Sequence, residues 1–313
     1  LYNRQSCKLY LEPFTLNETE QYLKVNGFEW SRYQIVENYM IMGGIPYYLS
    51  LLDNSISLEA NIDNMFFKKR ALLWDEFEHL YATLFNNSEQ YLKIVEALSS
   101  KKIGLTRKEI SQITKLPPNG SLTKILENLV NSEFVRAYQF FGNNKQDTLY
   151  QLSDYFTLFY YKFLKNNSGK DERFWSNSID NPSVRAWEGF TFEQVCKDHI
   201  QQIKKKLGIS GILTAVSSWF TKTTEEADGA QIDMLIDRRD KVINICEMKF
   251  AANEYEIDKD YEKKLINKIE CFRKETGSKK ALHLTMVTTY GVKQNSHSGR
   301  IQSEVTMDDL FEN

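Results

Sequence analysis

Apolar residues recur three and four apart through most of residues 1–165, and a period of two takes over in several runs beyond residue 210. Phe14-Thr15-Leu16-Asn17-Glu18 reads as a helix start, with Thr15 or Asn17 as cap. Tyr33 to Met42 makes a second helix, stopped by Gly43-Gly44-Ile45-Pro46, and Tyr47 to Leu52 starts another. Tyr91 to Leu98 is amphipathic. Thr106 to Glu109 is a capping box opening a short helix to about Leu116, and Pro117-Pro118-Asn119-Gly120 is a turn. Ser121 to Ser132 carries Leu122, Ile125, Leu126 and Leu129 on one face. Phe134–Phe141 and Thr148–Leu152 read as strands around Gly142-Asn143-Asn144-Lys145. Three helices and a hairpin in this order suggest a winged helix-turn-helix.

Tyr155 to Leu164 is an aromatic helix, and Asn166 to Asp171 reads as a linker, with a domain boundary near 166–182. One long helix is expected over Ala186–Leu207. Strands are expected at Ile212–Phe220, Ala230–Asp237, Lys241–Phe250 and Ala281–Thr288, with a helix at Asp258–Thr276. The resulting order is helix–β–β–β–helix–β, with Arg238-Arg239-Asp240 as a hairpin turn.

Composition narrows the function classes. The chain has 313 residues, 42% hydrophobic and 26% charged, which excludes a disordered or coiled-coil protein. Forty Lys and Arg against 42 Asp and Glu give net −2, so the whole molecule is no electrostatic trap for nucleic acid, though a local basic patch stays open. No apolar run approaches the ~20 residues of a membrane span. The four cysteines have no CxxC spacing, and only four histidines accompany them. That argues against zinc and for buried, reduced thiols in a cytoplasmic protein.

The chemistry concentrates in Asp233 and in Glu247-Met248-Lys249. Asp233 interrupts an apolar strand. Glu247 and Lys249 share one face of the next strand, because alternate strand residues do. A hairpin is expected to bring Asp233 beside Glu247. Charges buried there need a partner, and two carboxylates suit Mg²⁺ or Mn²⁺. A cation lowers the pKa of bound water, and Lys249 can orient that water. The competing reading is an ion pair on an exposed sheet edge. His199 is expected to face solvent. Lys197 and Lys204-Lys205-Lys206 could meet a DNA backbone or simply end a helix in water. Arg107, Lys108, Lys115 and Lys124 decorate the winged region too thinly for groove reading, which favours a packing or spacer role there.

These residues resemble the PD-(D/E)xK nuclease superfamily over about residues 183–290. The resemblance implies a restriction-endonuclease-like α/β domain and phosphodiester hydrolysis on DNA. It implies Asp233 and Glu247 as metal ligands, Lys249 as water-positioning group, and Glu193 as the acidic residue of the first helix. Gln231-Ile232 stands where many members have Pro before the Asp. A nuclease fold without activity is a third reading of the same residues.

The first half resembles the lid and winged-helix regions of prokaryotic AAA+/STAND-type ATPases. Tyr2-Asn3-Arg4, Leu11-Glu12-Pro13-Phe14 and Met42-Gly43-Gly44-Ile45-Pro46 carry this resemblance, together with the ending Val305 to Phe311. It implies a nucleotide-facing turn at Gly44 and Pro46; a plain helix-stopping turn explains the same residues. No GxxxxGK[ST] occurs, so ATP would be bound by a P-loop domain that precedes this sequence or lies on another chain. The expected architecture is α + α/β. A helical lid (1–85) and a winged helix with trailing helix (86–165) precede a nuclease-like domain (183–313). A non-catalytic DNA- or protein-docking module is the alternative function. A nucleotide half-site completed in trans is a third, and an oligomer is compatible with all of them.

Overall fold

The computed structural model describes residues 11–142, 148–167, 170–178, 180–221 and 229–313. Tyr2-Asn3-Arg4, Cys7 and most of the Gly142–Lys145 turn therefore lie outside the described residues. The architecture is mixed, a helical half followed by a five-stranded sheet flanked by helices.

The helical half begins with α1 (Leu16–Val25) and α2 (Arg32–Met42). Thr15 caps α1 reciprocally with Glu18, and Ser31 caps α2 with Gln34, which fixes both starts. Gly43 ends α2 at φ 63°, a left-handed value that a side chain resists. Pro46 then opens the short α3 (Pro46–Ser50). Helix α4 (Leu58–Ile62) runs into a π-helical turn, Asp63–Phe67, and α5 (Glu76–Leu84) follows.

Next come α6 (Ser88–Ser99), β1 (Leu105–Thr106), α7 (Arg107–Thr114), α8 (Gly120–Asn131), β2 (Val135–Tyr138) and β3 (Leu149–Leu152). The strands form a small antiparallel sheet in the order β1-β3-β2. Leu122, Ile125, Leu126 and Leu129 of α8 are all buried, as their spacing requires. Arg107 caps the Pro118 and Asn119 carbonyls, which is a structural duty, while Lys108, Lys115 and Lys124 are exposed.

Helix α9 (Tyr155–Phe159), a second π-helical turn (Tyr160–Leu164) and α10 (Lys165–Asn167) continue the aromatic segment. The stretch expected as a linker is only partly described, Ser168 and Gly169 lying outside. Just beyond it, Trp175 and Ser178 are buried. Trp175 is buried against Phe159, and Asp63 accepts the backbone N–H groups of Trp175 and Ser176.

The expected long helix is two. Helix α11 (Pro182–Asp198) ends at His199, whose backbone leaves the helical range at φ −100° and ψ 32°, and α12 (Ile200–Lys206) follows. His199 does not face solvent as expected. It is 2% exposed, its Nδ1–H donates to the Val195 carbonyl, and its Nε2 accepts the Leu16 N–H at 3.0 Å. Burial lowers its pKa and keeps it neutral, as that acceptor role demands. Lys205 and Lys206 bond the Asn313 carbonyl and the Asp309 carboxylate.

The large sheet has the order β4-β5-β6-β7-β8. Strands β4 (Thr214–Thr221), β5 (Ala230–Arg238) and β6 (Val242–Lys249) form an antiparallel meander. Helix α13 (Lys259–Thr276) crosses over to β7 (Ala281–Thr288), parallel to β6. A fifth strand, β8 (Ser303–Thr306), was not expected; its Ser-Glu-Val-Thr run is too short to show alternation. One sheet face, with Met234, Ile236, Cys246 and Met248, joins a core continuous with α11 and the helical half. The other face, with Leu235, Ile243 and Ile245, packs on Leu265 and Phe272 of α13. Cys196 and Cys246 are buried free thiols. Among the described residues no helix is long and apolar enough to cross a membrane.

Candidate functional site

The sheet register alone sets Asp233 opposite Glu247. Met234 pairs with Cys246, so one further step would match the two acids. A β-bulge intervenes. Ser217 pairs with Leu235 but Trp219 pairs with Ile232, so Asp233 and Met234 together oppose Ser218. The Ser218 hydroxyl donates to the Asp233 carbonyl at 2.7 Å and holds the bulge. As a result Ile232 and Leu235, three apart, share the α13-side core. Asp233 turns instead toward α11.

There it lines a cavity of about 230 Å³ together with Glu193, Lys197, Tyr138, Gln151 and Lys102. Glu193 and Lys197 sit one helical turn apart on α11 and so share a face. Tyr138 and Gln151 come from the small sheet, and a Phe140–Ser218 bridge just beyond β2 ties it to β4. Arg136 of β2 bonds Gln194 and Asp198 of α11, and the Tyr155 hydroxyl also donates to Asp198. The small three-stranded sheet is thus one wall of the cavity.

Two acids and two lysines line this cavity. The Glu193 carboxyl is pushed up to about 8, first by burial and then by Asp233, against the pull of Lys197 and Lys249. Among the described residues Glu193 has no hydrogen-bond or ion-pair partner, while Asp233 Oδ1 accepts from Gln231 at 2.5 Å. Burial and Arg136 together lower the Lys197 ammonium, against Asp233, Glu193 and Asp198. A raised carboxyl beside a second acidic side chain is a place that a divalent cation would satisfy.

Glu247 lies on the other face and is already satisfied. Its oxygens receive Lys249 at 3.0 Å, Lys268 at 2.6 Å and the Tyr261 hydroxyl at 2.6 Å. Burial raises its carboxyl, but Lys268 and Lys249 outweigh that and hold it below the usual range. The ion pair exists, though not on an exposed edge, since Glu247 is 4% exposed on the central strand. Glu247 and Lys249 remain within electrostatic reach of Glu193. Glu247 is thus engaged by Lys249, Lys268 and Tyr261, while Asp233 lines the cavity with Glu193, and no cluster of three or more potential metal-ligating acids, histidines or cysteines occurs among the described residues.

Lys268 and Tyr261 escape a reading of the sequence alone. Their signal is present there: with Leu265 they fall on the buried stripe of α13 at spacings of four and three, polar groups where apolar ones belong. The Gly44 turn has a structural explanation. Its carbonyl accepts the Phe14 N–H at 2.8 Å, and an added Cβ would lie 1.9 Å from the Phe14 carbonyl oxygen. Pro46 is exposed at the start of α3. Comparison of the chain with protein-family models, with curated proteins and with solved structures gives no match.

Proposed function

We propose that the chain carries a divalent-cation-dependent phosphodiester hydrolase site acting on DNA, of the PD-(D/E)xK kind. The carrying observation is the Glu193–Asp233 carboxylate pair facing one cavity, with Glu193 unpartnered among the described residues and its carboxyl raised. The helix–β–β–β–helix–β order around it supports the reading, as does the β1-β3-β2 sheet for a winged helix. Glu193 and Asp233 would hold Mg²⁺ or Mn²⁺, with Glu247 excluded while Lys249 and Lys268 occupy it. The cation, when bound, supplies an activated water and charge neutralisation on phosphate. Lys197 would face the phosphate from the α11 side. Lys249 would tune Glu193 through space. On this reading the first half is the lid and winged helix of an AAA+/STAND-type ATPase, with ATP bound by a P-loop domain in cis or in trans.

Supercoiled plasmid with EDTA, Mg²⁺ or Mn²⁺ tests it, beside Asp233→Asn and Lys249→Ala. Nicking that needs metal and is lost in Asp233→Asn supports the proposal. A folded wild type that neither nicks nor binds metal removes it. One observation favours a second reading, a non-catalytic docking module: the saturation of Glu247 by Lys249, Lys268 and Tyr261. DNA or protein binding indifferent to Mg²⁺ and to Lys249→Ala would be its sign.

A further inference from the structure

Phe250 directly follows Lys249 and begins a column of parallel rings. Tyr33 of α2 stacks on Phe250, with centroids 4.7 Å apart and planes 17° apart. Tyr290, just after β7, is nearly parallel to Tyr33, at 6.0 Å and 9°. The inner end is anchored on Phe192, the residue before Glu193, at 5.3 Å. The outer end is open, because Tyr290 is 43% exposed. A parallel column ending in an exposed ring has room for one more flat ring.

The flank of the column says what that ring carries. Glu37 of α2 and Glu188 of α11 both act on the Tyr33 phenol, and Glu37 also acts on Tyr290. Among the described residues neither acid has a hydrogen-bond or ion-pair partner. Burial, with repulsion from Glu188 and Glu59, raises the Glu37 carboxyl to about 8, and burial raises Glu188 to about 7 against the pull of Arg185. Largely uncharged at neutral pH, the Glu37 carboxyl can still accept an N–H from the edge of a nucleobase through its carbonyl oxygen. A column that served only to seal α2 onto the sheet would need neither the exposed ring nor the unpartnered acids.

We propose that Tyr290, Tyr33 and Phe250 form a stacking platform for an unpaired nucleobase, with Glu37 offered to N–H groups on its edge. This rests on the reading that the neighbouring cavity handles nucleic acid. It narrows the substrate to strands with a base free of its partner near the cavity. Perfect duplex would not reach the platform.

The test uses the full chain in EDTA, so that cleavage plays no part. The probe is a short DNA single strand with one central 2-aminopurine, beside the same strand carrying an abasic site. Stacking quenches the 2-aminopurine, the abasic strand binds about tenfold more weakly, and Tyr290→Ala costs a similar factor that Tyr290→Phe restores. Equal binding of the abasic strand, absence of quenching, or an unchanged Kd in Tyr290→Ala overturns the platform. Plasmid nicking without stacking would remove the platform and leave the hydrolase. Stacking without nicking would do the reverse.

Discussion

The Lys268 ammonium of α13 meets the Glu247 carboxylate of β6 at 2.6 Å, across the packing of helix on sheet. Removing one partner of a buried pair strands the other charge. Lys268→Met is expected to cost about 3 kcal/mol in urea unfolding at pH 7. Glu247→Gln in the same chain should return part of it. The folded Glu247 carboxyl is depressed, so its stabilisation is present above the unfolded value near 4.5 and lost as pH falls through the folded value. The gap between wild type and Lys268→Met should therefore narrow below about pH 4.5. An unchanged gap down to full acid unfolding would contradict this.

Glu193 has the opposite sign. Its folded carboxyl stands at about 8, above the ordinary value of 4.5. The folded state keeps a proton that the unfolded state has lost, so stability falls as pH rises from about 4.5 to about 8. Glu193→Gln should match wild type in acid and exceed it at pH 9, by about 2 kcal/mol after allowance for solvent screening. Glu37 and Glu188 titrate in the same window, which makes the single-variant difference the informative quantity.

Cation binding should then release a proton. At pH 7 the Glu193 carboxyl is mostly protonated, and a metal ligand must be ionised. Mn²⁺ titration by calorimetry in two buffers of different ionisation enthalpy should show about one proton released. Glu193→Gln should abolish that release. Buffer-independent heats in the wild type would place the cation elsewhere.

Arg136 joins the small sheet to α11 through Asp198 and Gln194. Arg136→Ala should loosen that wall, costing about 2 kcal/mol and leaving a buried Gln194 amide without a partner. Amide exchange in β2 and β3 should rise more than exchange in β6. A uniform rise across the chain would instead mean global destabilisation alone.

Gly44→Ala asks whether that turn is kept for packing. The new methyl would sit 1.9 Å from a backbone oxygen, which no rotamer change relieves. A loss of about 3 kcal/mol or more is expected, read by thermal melting. A variant as stable as wild type would return the turn to a ligand-facing role.

Much of the architecture is legible in the sequence because local rules act alone. Capping boxes at Thr15 and Thr106, the Gly43 stop and the buried stripe of α8 all lie within a few residues of the elements they define. The short β8 and the break at His199 depend on distant partners, here β7 and Leu16. The site is legible by residue type but not by geometry. Asp233, Lys249 and Glu247 all act electrostatically on Glu193 in the folded chain. Alternation places Asp233 with Glu247, and one extra residue opposite Ser218 undoes that pairing. A bulge leaves no mark in the apolar pattern when both of its neighbours are apolar, as Ile232 and Met234 are.

The last turn of the chain, a 3₁₀ helix at Met307–Phe311, is held by the first helices. Asn17 donates to the Phe311 carbonyl, and Arg32 bonds Asp308 while lying over the Phe311 ring. Contacts spanning 294 positions close late, since the loop entropy must be met before they form. On the ribosome, α1 and α2 emerge early but wait for these distant codons to bury their partners. Translation therefore leaves an apolar helical surface uncovered until Phe311 is made, and removal of Met307–Phe311 should expose it for good.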